Sequence, residues 1–160
     1  MTEQLALEIG KQLISRNWSL SVAESCTGGL LGGALTEIPG ASGYFLGGVI
    51  AYDNRVKISL LNVPGGVIDE FGAVSSQTVT AMARGACELF NTECAISISG
   101  IAGPEGGSAV KPVGLVFTGI AVKGTLRSFE NVFKGNRQEV RCQAVEKSLS
   151  LFLETITQDR

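Results

Sequence analysis

The chain has 160 residues, with 13 lysines and arginines against 15 aspartates and glutamates, no histidine and a net charge of −2. This length supports one domain over residues 1–160, with a core that removes about 70% of the unfolded surface from water. Near-neutral charge provides no overall field for nucleic acid or an anionic membrane, and no stretch approaches the roughly 18 apolar residues of a membrane span.

The four cysteines, at 26, 87, 94 and 142, form no CxxC pair. Reduced thiols in a cytoplasm are the expectation, and without histidine a structural zinc site is not. No metal or cofactor is expected. The N-terminal "MTEQLALEIGKQLISR" is amphipathic and mixed in charge, unlike a signal peptide.

In chain order, residues 3–16 read as a helix with Leu5, Ile9, Leu13 and Ile14 on one stripe. "WSLSVA" alternates Trp18, Leu20 and Val22, the period of a strand. The turn "AESCTGG" leads into a short helix that ends before Pro39. "GGVIAYD" (47–53) reads as a strand buried on both faces, after which Asn54 can cap a helix through "RVKISLL". Ser75 or Ser76 can cap a helix running to about Phe90, and "CAISISG" (94–100) is the third strand. Beyond the loop "GIAGPEGGSAVKP", two strands form a hairpin about Lys123-Gly124. The last helix starts at Asn136 with Glu139 in the capping-box position, and buries Val140, Ala144, Val145, Leu149, Phe152, Leu153 and Ile156. Strands alternating with helices predict a three-layer α/β/α sandwich on a mixed, mostly parallel sheet. Ligands of such sheets bind beyond the carboxyl ends of strands. Three segments reach such ends: AESCTGG, "AYDNRVK" and "SGIAGPEGG".

Ser25, Cys26 and Thr27 occupy a strand-to-helix turn, where free backbone amides can hold a developing oxyanion. The plain alternative is that they cap the helix. A catalytic Cys26 ordinarily draws on histidine, and none exists. A serine needs another proton acceptor, for which the neutral amine of Lys57 is the candidate. With Asn54 as cap, Lys57 lies at the third helical position, where the dipole disfavours its ammonium by about 0.3–1 kcal/mol. That is under one pKa unit, so burial must supply the rest. Tyr52 can orient the amine or relay its proton. A solvated lysine and a core tyrosine are the ordinary readings of both.

SGIAGPEGG has four glycines between Gly100 and Gly107 and matches no P-loop; it permits close backbone approach to a flat or phosphorylated ligand. Arg137 and Arg141 share one face of the last helix, and Arg137 sits in the first turn, where a cation opposes the dipole. An anionic partner such as phosphate is one reading; an ion pair with Glu139 or Asp53 is the other. Lys111 is a weaker candidate.

The motifs AESCTGG, AYDNRVK, "GAVS", "SGIAGPEGGSAVKPVG" and "GNRQEVR", in this order, resemble the C-terminal domain family of the competence/damage-inducible protein CinA, from about residue 4 to 155. Stand-alone members of that family include nicotinamide mononucleotide deamidases. Because the N-terminal domain of full-length CinA is absent here, the stand-alone form is expected. The resemblance implies hydrolysis of the carboxamide of nicotinamide mononucleotide to nicotinate mononucleotide and ammonia, in pyridine nucleotide recycling. It implies catalytic roles for Ser25, Lys57 and Tyr52, substrate contacts from Ser99, Gly100 and Gly103, and a further contact from Arg137 or Arg141. Backbone groups of Cys26 and Thr27 complete the expected site. A homo-oligomer is also implied, with a phosphorylated pyridine nucleotide as the small-molecule partner. The alternative is a non-catalytic nucleotide-binding or regulatory module that keeps the pocket without turnover.

Overall fold

A computed structural model describes residues 1–158. Its elements are α1 (Thr2–Arg16), β1 (Leu20–Glu24), α2 (Leu30–Thr36), a 3₁₀ turn (Ala41–Gly43), β2 (Phe45–Ile50), α3 (Asn54–Leu61), α4 (Gly65–Phe71), α5 (Ser76–Phe90), β3 (Cys94–Gly100), β4 (Leu115–Val122), β5 (Thr125–Val132) and α6 (Arg137–Gln158). The five strands lie in the order β2-β1-β3-β4-β5. β1 pairs in parallel with both β2 and β3, while β4 runs antiparallel to its two neighbours. Four strands therefore share one direction and β4 opposes them, the predicted three-layer sandwich on a mixed sheet.

The two faces of the sheet are packed differently. On one, α1, α2 and α6 bury large aliphatics: Ile9 and Leu13, Leu31 and Leu35, Leu149 and Phe152 against Leu20, Val22, Ile96 and Ile120. On the other, α5 lays Met82, Ala83 and Ala86 on Ala23, Ala95 and Ala121. Small side chains let α5 approach closely. So does Gly85, where an added Cβ would lie 1.9 Å from the Leu61 carbonyl oxygen at the end of α3. That tight seam seats α3, and α3 carries Lys57.

Several local expectations hold in detail. Ser75 caps α5 by accepting from the Thr78 amide at 3.1 Å. Asn136 and Glu139 exchange the two hydrogen bonds of a capping box at 2.9 and 3.2 Å. Lys123 and Gly124 both adopt positive φ, 50° and 85°, as a two-residue hairpin with the right twist requires.

Three expectations change. β2 is not buried on both faces: it is an edge strand whose burial alternates, with Leu46 and Ile50 exposed. Its apolar run resembles an interior strand, but a neighbour on one side only leaves half of it open. The cap of α3 is Asp53, whose carboxylate accepts from the Arg55 amide at 2.8 Å, so Lys57 lies one position deeper than an Asn54 cap would place it. Helix α4 has no counterpart in the sequence reading. It opens on two glycines and buries none of its residues fully, although Ile68 packs against the core on the α5 side.

Candidate active site

The site begins where β1 ends. The Ser25 amide donates to the Ile98 carbonyl at 2.9 Å, carrying the β1–β3 pairing one residue past the strand. The chain then turns sharply, with the Gly28 amide donating to the Ser25 carbonyl at 3.1 Å. Gly28 and Gly29 have φ of 56° and 106°, in the left-handed region that favours glycine. The amides of Cys26 and Thr27 donate to no other residue among the described residues. They follow the serine directly in the chain.

Ser25, 8% exposed, lines a cavity of about 260 Å³ at the carboxyl ends of β1 and β3. Lys57 reaches the same cavity from the buried face of α3 and is only 1% exposed. Its Nζ lies 3.1 Å from Ser25 Oγ, 2.7 Å from the Ala51 carbonyl oxygen and 3.4 Å from that of Tyr52. Among the described residues no carboxylate oxygen lies within 4.0 Å of the amine. Burial lowers its pKa from the usual lysine value, opposed by the more distant Asp53 and Cys26. Two carbonyls can take the two N–H bonds of a neutral amine, which leaves its lone pair for the Ser25 hydroxyl. The helix dipole has the smaller share, since Lys57 sits past the first three helical positions.

Cys26 shares the turn, but burial pushes its thiol up to about 11, the reverse of what a thiolate nucleophile needs. The thiol is therefore packing. Thr27 is fully buried, and its hydroxyl donates to Glu24 at 2.6 Å, so only its backbone faces any chemistry. Glu24 was not singled out in the sequence. Its carboxylate, buried at the end of β1, also accepts from the amides of Leu31 and Gly32 at 2.9 and 3.0 Å. The available signal was a carboxylate placed directly before a helix-opening turn, where free amides await an acceptor.

The remaining candidates separate. Ser99, Gly100 and Gly103 line the cavity with Ile101 and Ala102, and the Ser99 hydroxyl donates to the Ala73 carbonyl at 2.8 Å. Tyr52 is 62% exposed at the mouth. Its hydroxyl accepts from Arg137 Nη2 at 3.1 Å, while its backbone carbonyl, not its ring, orients the Lys57 amine. Arg137 also donates from Nη1 to the Gly103 carbonyl at 2.9 Å, joining the tyrosine to the glycine loop. The ion pair with Glu139 or Asp53 does not form: Asp53 pairs with Arg55 and Glu139 completes the cap of α6. Arg141 is absent from the cavity lining and donates to the Cys26 and Thr27 carbonyls at 2.9 and 3.1 Å, which corrects its assignment as a substrate ligand. Lys111 donates to the Phe71 carbonyl, at the end of α4, at 2.6 Å. Among the described residues no group of three His, Cys, Asp or Glu side chains is placed to hold a metal ion.

Comparison with known proteins gives one family throughout. The profile of the CinA C-terminal domain matches residues 2–156. A putative competence-damage inducible protein of Halothermothrix orenii is 49% identical over 135 residues, 84% of this chain and 33% of that protein. A CinA-like protein of Leptospira biflexa is 44% identical over 149 residues, 92% of this chain and 36% of its own length. The chain thus spans about a third of the length of these curated relatives. Among solved structures, a CinA superfamily protein from Klebsiella pneumoniae superposes with a TM-score of 0.95 at 32% identity, covering 99% of both chains. A competence/damage-inducible protein from Agrobacterium tumefaciens gives 0.92 at 40% identity, covering 98% of this chain and 95% of that one.

Proposed function

This chain belongs to the CinA C-terminal domain family, and from that premise we propose that it is a metal-independent serine–lysine amidohydrolase acting on the carboxamide of nicotinamide mononucleotide. The observation that carries the reading is the buried Lys57 amine, 3.1 Å from the Ser25 hydroxyl with no carboxylate oxygen within 4.0 Å among the described residues. The substrate comes from the family resemblance; the reaction class comes from the pair.

In the proposed cycle, Ser25 Oγ attacks the carboxamide carbon and its proton passes to Lys57 Nζ. The oxygen of the tetrahedral intermediate takes its negative charge against the Cys26 and Thr27 amides. The C–N bond then breaks as the Lys57 ammonium returns the proton to the leaving nitrogen, releasing ammonia and leaving an acyl ester on Ser25. Water attacks that ester and gives its proton to Lys57. Collapse restores the Ser25 hydroxyl and frees the nicotinate nucleotide. One lysine serves as base and acid in turn, which requires its pKa near working pH, and burial moves it in that direction. Arg137 at the mouth offers the guanidinium for the phosphate, with donors beyond the two engaged by Gly103 and Tyr52.

Ammonia release from nicotinamide mononucleotide, measured with EDTA present, tests the reading. Ser25→Ala is expected to abolish release, whereas Cys26→Ala, which leaves the amide in place, retains turnover. The opposite pattern refutes it. Calorimetric binding of the mononucleotide without ammonia over hours would mark a binding module instead.

A further inference from the structure

Glu24 is a charged side chain only 2% exposed, with no cation within 4.0 Å among the described residues. A carboxylate so placed must be satisfied by hydrogen bonds alone. It is: Oε1 accepts from the Thr27 hydroxyl at 2.6 Å and the Leu31 amide at 2.9 Å, and Oε2 from the Gly32 amide at 3.0 Å. These donors lie on both sides of the glycine pair, so one rigid anchor at the end of β1 spans the whole turn. From α6, Arg141 holds the turn by its carbonyls, donating to those of Cys26 and Thr27. In a trans peptide the N–H points opposite to the C=O. Arg141 on the Cys26 carbonyl therefore turns the Thr27 amide away from α6, and Arg141 lies outside the cavity lining.

We infer that Glu24 is a positioning residue for this site, which, together with Arg141, holds the Ser25–Gly28 turn with the serine hydroxyl and the Cys26 and Thr27 amides converged on one reacting atom. This rests on the amidase reading for its natural substrate, but the positioning itself concerns any acyl transfer to Ser25. Glu24 touches neither substrate nor nucleophile. Its effect is on where the donors point, and a displacement near 1 Å in such a site costs on the order of 10²-fold in rate.

The carboxamide of Glu24→Gln keeps the Oε1 contacts but turns donors toward the Gly32 amide, so the turn loses its second grip. Thr27→Val removes one contact and leaves Glu24 intact, which covers the case of Glu24→Gln failing to fold. p-Nitrophenyl acetate serves as probe. Ser25 Oγ forms the acetyl ester, its proton passes to Lys57, and the carbon–oxygen bond to the nitrophenolate breaks, giving a burst. Burst amplitude counts competent sites; the burst rate constant reports their geometry. Glu24→Gln is expected to keep the amplitude and lose about 10²-fold in rate constant, with Thr27→Val slower by roughly tenfold at about 1.4 kcal/mol per decade. In ammonia release the same variants lower kcat with KM unchanged, because an oxyanion contact acts in the transition state. Wild-type rate constants in the variants that fold, or a loss of amplitude at an unchanged rate constant, overturn the inference. A wild-type burst without ammonia release would reject the amidase reading and leave the positioning role standing. Absence of both refutes the two together.

Discussion

Replacing Lys57 by methionine tests the amine twice, through the chemistry and through stability, and both gain as rising pH neutralises the buried group. The stem still fills the space behind Ser25, but the base is gone, so ammonia release should fall by about 10²–10⁴-fold, the usual contribution of a general base. Stability follows from linkage. Burial holds the lysine pKa in the folded protein below the 10.5 of the free side chain. Between those two values the unfolded chain binds more protons than the folded one. Wild-type stability therefore rises with pH across that window, by up to about 1.4 kcal/mol per pH unit. Below the folded pKa the cost of burying the amine is present in full, and above 10.5 it has vanished. Methionine titrates in neither state. Its loss of hydrogen bonds to the Ala51 and Tyr52 carbonyls is an offset that does not vary with pH. At about 2–4 °C per kcal/mol for a domain of this size, the wild-type melting temperature should gain roughly 3–6 °C on the variant for each pH unit within the window. Paired melting curves from pH 6 to 11 measure this. Curves that stay parallel throughout would mean an unperturbed lysine, and the proposed base would be lost with it.

Gly85→Ala drives a Cβ to 1.9 Å from the Leu61 carbonyl oxygen; a loss of about 1–3 kcal/mol in denaturant unfolding is expected, with activity falling because α3 carries Lys57. Tyr52→Phe removes the 3.1 Å contact with Arg137; a several-fold rise in KM with little change in melting temperature is expected, and a collapse of kcat at unchanged KM would instead mean proton relay through the phenol. With its pKa near 11, Cys26 should react with iodoacetamide far more slowly at pH 7.5 than the exposed Cys142, as mass spectrometry of the labelled peptides would show.

Much of the fold was legible because its signals are local. Helix α1, the Lys123-Gly124 hairpin and the Asn136–Glu139 cap each rest on residues that interact within a few positions. The missing histidine was equally legible, and it directed attention to an amine as the proton acceptor. β2 deceived because an apolar run records what a strand is made of, not how many neighbours it has. Helix α4 escaped because it has seven residues and opens on two glycines, too short a run for a helical period to show.

The sequence alone determined which groups are available: a hydroxyl in a glycine turn at Ser25, a lysine just after the second strand, and no imidazole anywhere. Tertiary structure decided what those groups are. Lys57 lies 32 positions from Ser25, and only the parallel pairing of β1 and β2 brings the turn after β1 beside the helix that follows β2. Desolvation is likewise a property of everything packed around the amine, including α5 held against α3 at Gly85. The two arginines on α6 look alike in sequence, four residues apart, yet one opens onto the cavity and the other grips the backbone behind it. A side chain's charge can be read from its type, but its pKa and its partner depend on neighbours that the chain brings together only on folding.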